Sequence, residues 1–287
     1  LLALIVGKAL VTSALMNSTV ALSAGPLPAG IPAQIIADGK TLTTLQMQGN
    51  RTNITTNTMV GKSAVNSFQK FDVHAGNTVN LMVPTQAANL VNLVRQGVTN
   101  IDGILNSYQN GKIGGNVFML NPNGVVVGAG GVINTGSMVI AAPAMKVIDS
   151  LYKDTGFDED AMKRLSAGEI PLTGGGRVAI SGTVNATGGV SIGGSTVSID
   201  GAINAAGKYQ GVSLATNTGG AKTADSLEVV DGKILVRAEQ HLDVAGKLDV
   251  SQTEGKAGQI DLRAGGDLNL NAGAQLLSKG LGDTASG

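Results

Sequence analysis

The sequence predicts an all-β chain wound as a right-handed parallel β-helix, a solenoid of short stacked strands. Three observations carry this reading. Hydrophobic residues make up 43% of the 287 positions but aromatics only 2%, with 42 Gly and neither Cys nor Trp. A core of Val, Ile, Leu and Ala suits thin repeated layers better than one bulky centre. Next, Gly182, Val184, Asn185, Ala186 and Gly188 recur 19 residues later as Gly201, Ile203, Asn204, Ala205 and Gly207. Finally, Ile234, Val236, Arg237, Ala238, Leu242 and Val244 meet Ile260, Leu262, Arg263, Ala264, Leu268 and Leu270 at a constant spacing of 26. Such periods fit one solenoid turn of two or three strands. One turn cannot bury its inward side chains alone; stacking turns at about 4.8 Å pairs every strand and makes a continuous core.

The elements follow in order. Residues 1–24 are apolar and then fade into small and polar residues, the pattern of the end of a secretory signal peptide, with small-residue cleavage options near Ala21–Ala24. A start at Leu1 and a stop at Gly287 in mid-pattern read as a fragment. After Pro28 and Pro32, short strands are expected around Ile35–Ile36, Leu42–Leu45 and Ile54, in Thr-rich surroundings that favour extended backbone. From Val65 to Val73, alternation sets Val65, Ser67, Gln69, Phe71 and Val73 on one face and Phe68 on the other. Gly76-Asn77 turns the chain into Val79–Val83, which Pro84 stops. Ala87–Gln96 is a helix candidate, with Leu90, Leu93 and Val94 on a stripe and Gly97 as a stop; a short strand is the alternative. Apolar runs at Ile101–Leu105 and Val117–Leu120 flank the turn-like Asn110-Gly111 and Gly114-Gly115, a place for small hairpins outside the helical stack.

Asn121-Pro122-Asn123-Gly124 is a β-turn signal, since Pro122 cannot donate to a ladder. The clearest helix lies near 158–167. Asp158 is a good N-cap, Glu159 and Asp160 suit the positive end of the dipole, and Phe157 and Met162 have the spacing of a hydrophobic staple. It reads as an excursion packed on the main body.

Composition also excludes functions. Lys+Arg and Asp+Glu both total 20, so the basic footprint of a nucleic-acid binder is missing. Without Cys there are no disulfides or thiolate metal sites. His74 and His241 stand far apart and read as surface or turn residues, so no metal or other cofactor is expected. Asp158–Asp160 is better explained by a helix start than by a cation site. No clustered carboxylates suggest a catalytic centre.

Three stretches resemble the secretion domain of two-partner-secretion exoproteins, the family of filamentous haemagglutinin and related adhesins and haemolysins. They are Asn66-Ser-Phe68-Gln-Lys-Phe71-Asp-Val73 with Val79-Asn80-Leu81; Ile113-Gly114-Gly115-Asn-Val117 running into Asn121–Gly124; and Gly131-Val-Ile-Asn134-Thr-Gly136. The family's second turn motif has no counterpart, the corresponding stretch reading Leu90-Val91-Asn92-Leu93 without Pro. The long Lys112–Val117 region and the 150–170 segment are most similar to the leukotoxin-like branch of large filamentous adhesins.

The resemblance implies a non-enzymatic export and folding module with an amino-terminal cap. It divides the chain into a partial signal peptide (1–24), a secretion domain (25–210) and the start of a repetitive shaft (211–287). The implied partner is an outer-membrane TpsB-type transporter acting through its periplasmic POTRA domains. A host receptor or exopolysaccharide would be met by regions further along the chain. The implied location is the surface or surroundings of a Gram-negative bacterium, in the setting of adhesion, biofilm and virulence. Asn121, Pro122, Asn123 and Gly124 are then either transporter-recognition residues or a structural turn. The rival reading is a β-helical protein that binds or degrades polysaccharide.

Overall fold

The computed structural model describes residues 32–153, 156–205, 213–214, 232–252 and 257–280. The apolar segment 1–24 lies outside them.

The chain winds as a parallel β-helix with three faces. The first face carries the strands Ser63–Val73, Asn89–Val94, Asn116–Leu120, Ser137–Ala141, Val190–Gly194, Lys233–Ala238 and Gln259–Ala264. The second carries Thr99–Ile101, Val125–Val127, Val178–Ile180, Val197–Ile199, Leu242–Val244 and Leu268–Leu270, starting from the end of Ser63–Val73, which bends from the first face onto the second. The third runs from Arg51–Thr56 through Thr78–Met82, Ile104–Gln109, Val132–Thr135, Thr183–Ala186, Ala202–Ala205 and Lys247–Asp249 to Gln275–Leu277. Along these faces the ladders are parallel, as a chain that always coils one way requires. The spacings read from sequence are the registers observed: Val184 pairs with Ile203 and Asn185 with Asn204, while Ile234 pairs with Ile260 and Leu242 with Leu268.

Inward residues stack in columns. On the first face one column is Ala64, Leu90, Val117, Met138, Val190, Ile234 and Ile260, all buried in one core. Removing this apolar surface from water, at roughly 25 cal/mol per Å², is the main stabilising term.

At the amino-terminal end the geometry changes. Gln34–Ala37 pairs antiparallel with Ser63–Val73, and Thr43–Gln48 pairs antiparallel with Arg51–Thr56. These strands cover the first coil, whose open edge would otherwise invite pairing with another chain.

Two elements leave the coil. Lys112–Ile113 folds back on Ile104–Gln109 through Asn110 and Gly111, at φ 53° and 75°; this is the two-residue type I′ hairpin that Asn-Gly favours. The larger excursion lies between Ser137–Ala141 and Val178–Ile180. It holds helix α1 (Met145–Asp149), the hairpin Tyr152–Lys153 with Gly156–Phe157, and helix α2 (Glu159–Ser166). The expected cap is present: the Asp158 side chain accepts hydrogen bonds from the Asp160 and Ala161 N–H groups at 2.9 and 3.2 Å. The excursion builds a second core. Val65, Val91, Phe118 and Val139, which point out of the coil, are buried with Ile148, Met162 and Leu165 of the excursion.

Three expectations are corrected. Ala87–Gln96 is no helix; Asn89–Val94 is a strand buried on both faces, with Leu90 and Val94 in the inner core and Val91 and Leu93 in the outer one. Such a strand reads as a continuous apolar run and loses its alternation. Phe68 and Phe71 face the same core, ring centroids 5.2 Å apart, because the pairing skips Gln69: Ile36 faces Lys70 and Ala37 faces Phe68. This bulge shifts the alternation by one residue. His74 does open a turn, its carbonyl accepting from the Asn77 N–H at 3.1 Å, but it is buried and not on the surface, with Nδ1 2.7 Å from the Pro32 carbonyl. Beyond these, Arg237 and Arg263 share the register position that their spacing of 26 implies; Arg237 is buried, and both guanidinium groups pair with Asp261, at 2.9 and 3.0 Å.

Candidate functional site

The corner at Asn121–Gly124 sits between two neighbouring coils. The Gly124 N–H donates to the Asn121 carbonyl at 3.0 Å and closes the turn. The Asn121 carboxamide oxygen accepts from the Asn123 N–H at 2.9 Å, an Asx turn. Its Nδ2 donates to the Gly97 carbonyl and to Thr99 Oγ1, both at 2.9 Å, which ties the corner to the preceding coil. On the other side the Gly176 N–H donates to the Pro122 carbonyl at 2.7 Å. Gly124 has φ 119°, and a Cβ there would lie 2.7 Å from the Arg177 carbonyl oxygen. Asn121, Pro122 and Gly124 are buried; Asn123 is exposed. Each type is therefore demanded by the corner: an amide that bonds both ways, a residue with no N–H to lose, and a glycine.

Asn123 Nδ2 donates to the Arg95 carbonyl at 3.1 Å, and beside it lies a surface cluster. Arg95 pairs with Asp149 at 3.0 Å and lies over the Tyr152 ring, 5.1 Å from its centroid; Lys40 Nζ lies 4.8 Å from the same centroid. Burial pushes the Tyr152 hydroxyl above its ordinary pKa, against hydrogen bonds from Ser67 and Arg95 that pull it down.

The other motif residues are structural in distinct ways. Asn66 and Asn92 are fully buried and stacked: Asn66 Nδ2 donates to Asn92 Oδ1 at 3.0 Å, and Asn92 Nδ2 donates to the Phe118 carbonyl at 3.1 Å. The same column continues as Met119, Ile140, Ile192, Val236 and Leu262, so the polar pair belongs to the capped end alone. Val73 joins Phe68 and Phe71 in the inner core. Gly114, Gly115 and Gly136 make a close crossing: a Cβ on Gly136 would fall 2.5 Å from the Gly115 carbonyl oxygen. Asn80 and Asn134 stand on the outer side of the third face.

There they are members of a ladder that sequence reading missed. Asn53, Asn80, Asn106, Asn134, Asn185 and Asn204 share one register column. Each Nδ2 after the first donates to the Oδ1 before it, at 2.8, 3.1, 2.9, 3.0 and 2.9 Å. The signal was present, since Asn185 and Asn204 match in the 19-residue repeat, but the variable spacing of the earlier coils hid the rest. Among the described residues there is no group of three or more His, Asp or Glu side chains placed to hold a metal ion.

A capped parallel β-helix with an outer excursion, glycine crossings and an Asn-Pro-Asn-Gly corner defines a class of capped β-solenoid domains. The chain belongs to the TPS secretion domain family, whose model matches residues 33–281. Domains of this family serve secretion through the outer membrane of Gram-negative bacteria. Among solved structures, the HMW1 secretion domain from Haemophilus influenzae is 16% identical with a TM-score of 0.49 over 86% of this chain; the present chain spans 65% of that one. The filamentous hemagglutinin secretion domain is 15% identical with a TM-score of 0.44, covering 85% of this chain and 96% of that one. No curated protein matches the sequence.

Proposed function

We propose that this domain is the recognition and folding-nucleation module of a non-enzymatic exoprotein, and that a cognate outer-membrane TpsB-type transporter engages it through its POTRA domains. The family match across residues 33–281 carries this reading. The asymmetry of the fold supports it. One end is closed by antiparallel strands, so further coils add at the other end, each finding a finished edge to pair with. We divide the chain into a signal segment (1–24), a secretion domain (25–210) and the first shaft coils (211–287). Adhesion to a host receptor or exopolysaccharide is assigned chiefly to regions further along the exoprotein, at the bacterial surface.

Within the corner, the burial of Asn121, Pro122 and Gly124 favours an architectural role, and exposed Asn123 is the member suited to touch a transporter. The test is secretion from cells with and without the cognate transporter. Wild-type chain should appear outside only when the transporter is present. Replacing 121–124 by Ala should abolish release through misfolding. Asn123→Ala alone should fold, and a drop in its release would mark Asn123 as a contact. Release without the transporter, or retention with it, would sink the proposal.

A further inference from the structure

The outer side of the third face carries an asparagine row that the other two faces do not have. On the five strands from Thr78–Met82 to Ala202–Ala205 every outward position is uncharged, in a chain where 14% of residues carry charge. Down the middle runs the six-residue asparagine ladder. An amide that gives one N–H and one oxygen lone pair to its neighbours keeps one of each for an outside partner. The ladder therefore offers a donor–acceptor pair at each step of about 4.8 Å, over about 24 Å for its five steps.

Two grooves follow the same column. One, of about 390 Å³, is lined by Asn53, Asn80 and Asn106 together with Met82 and Tyr108, with Arg51 at its end. The other, of about 440 Å³, is lined by Asn134, Asn185 and Asn204, with Ile113 of the small hairpin at its wall and Asp249, paired with Lys247, at its far end. Between them they take in every member of the ladder. Tyr108 is half-buried, so part of its ring faces the first groove.

We propose that this face binds a neutral, linear polysaccharide laid along the ladder, its hydroxyls paired with the asparagine amides and one sugar ring stacked on Tyr108. The chemistry selects this ligand. Hydroxyl groups act as donor and acceptor together, matching what each amide leaves free. An anionic glycan would need a basic row, and the cations here stand at the ends: Arg51, and Lys247, which pairs with Asp249 at 2.7 Å. A protein partner would seek an apolar centre with a polar rim, the reverse of this face.

The 287-residue chain would be titrated with hexasaccharides of β-1,4-glucose, α-1,4-glucose, mannose, galactose and N-acetylglucosamine, and with a heparin hexasaccharide. Calorimetry gives Kd, and NMR follows the side-chain amides. A neutral hexasaccharide should shift the ladder amides. Tyr108→Ala and the isosteric Asn185→Asp should each raise its Kd at least tenfold while leaving circular dichroism and transporter-dependent release unchanged. Absence of binding by all five neutral sugars, tighter binding of heparin, or a Kd untouched by both substitutions would overturn the proposal. Loss of release in both variants would assign the face to export instead.

Discussion

The first and third faces are made of strands of similar length and the same parallel pairing, yet their outer sides differ completely. The first is roofed by the excursion, so Val91, Leu93, Phe118 and Leu120 are buried on the side away from the coil. The third is open, and its outward column is asparagine. The contrast shows that the coil itself demands only inward apolar residues. What stands outside is decided by whatever lies over it. A roofed strand becomes apolar on both sides, and an open one alternates.

The largest effect should come from breaking the roofed side. Phe118→Ala removes a fully buried ring and should cost about 3–5 kcal/mol in urea unfolding, against about 0.5 kcal/mol or less for a substitution of exposed Ile104 on the open face. Equal costs would mean that the excursion is not a packed layer. Gly136→Ala forces a Cβ into the Gly115 backbone and should cost about 1–3 kcal/mol, visible as a lower urea midpoint at unchanged slope. An unchanged midpoint would show that the crossing relaxes freely.

The two asparagine systems sharpen the comparison further. Asn92→Ala leaves the buried Asn66 amide without its acceptor and should cost about 1–3 kcal/mol, whereas Asn134→Ala in the half-exposed ladder should cost about 1 kcal/mol, because water replaces the lost bonds. A larger loss for Asn134 would show that the ladder is cooperative.

The smallest effect concerns the roof's own anchor. The Asp158 carboxyl sits below the ordinary carboxylate range, first through its hydrogen bond with Lys153 and then through the Ala161 N–H. Its folded pKa is therefore lower than its unfolded one. The stability it adds is full above the unfolded value and fades as pH falls through the lowered folded value. Asp158→Asn keeps a capping oxygen but loses the charge. The difference in melting temperature between wild type and variant should shrink to nothing on acidification; a difference constant with pH would assign the effect to shape alone.

Much of the coil was legible. The 19- and 26-residue spacings are the ladder registers, Asn110-Gly111 is the hairpin turn, and Asp158 caps α2. Each is a local rule, a repeat or a backbone preference, written in consecutive residues. The asparagine corner was legible as a turn, although its burial between coils was not. Helix α1 was missed because Ala144 offers no capping side chain and the helix has only five residues.

The sequence by itself determined the winding: inward Val, Ile and Leu at repeated positions, glycine where backbones cross, and turns where Pro or Asn-Gly end a strand. Only the tertiary structure decided which side of each strand is roofed, that a bulge at Gln69 turns Phe68 and Phe71 into one core, and that six asparagines from separate coils form a single row. These depend on register between residues 19 to 51 positions apart, and a strand carries no mark of what will be laid beside it or over it.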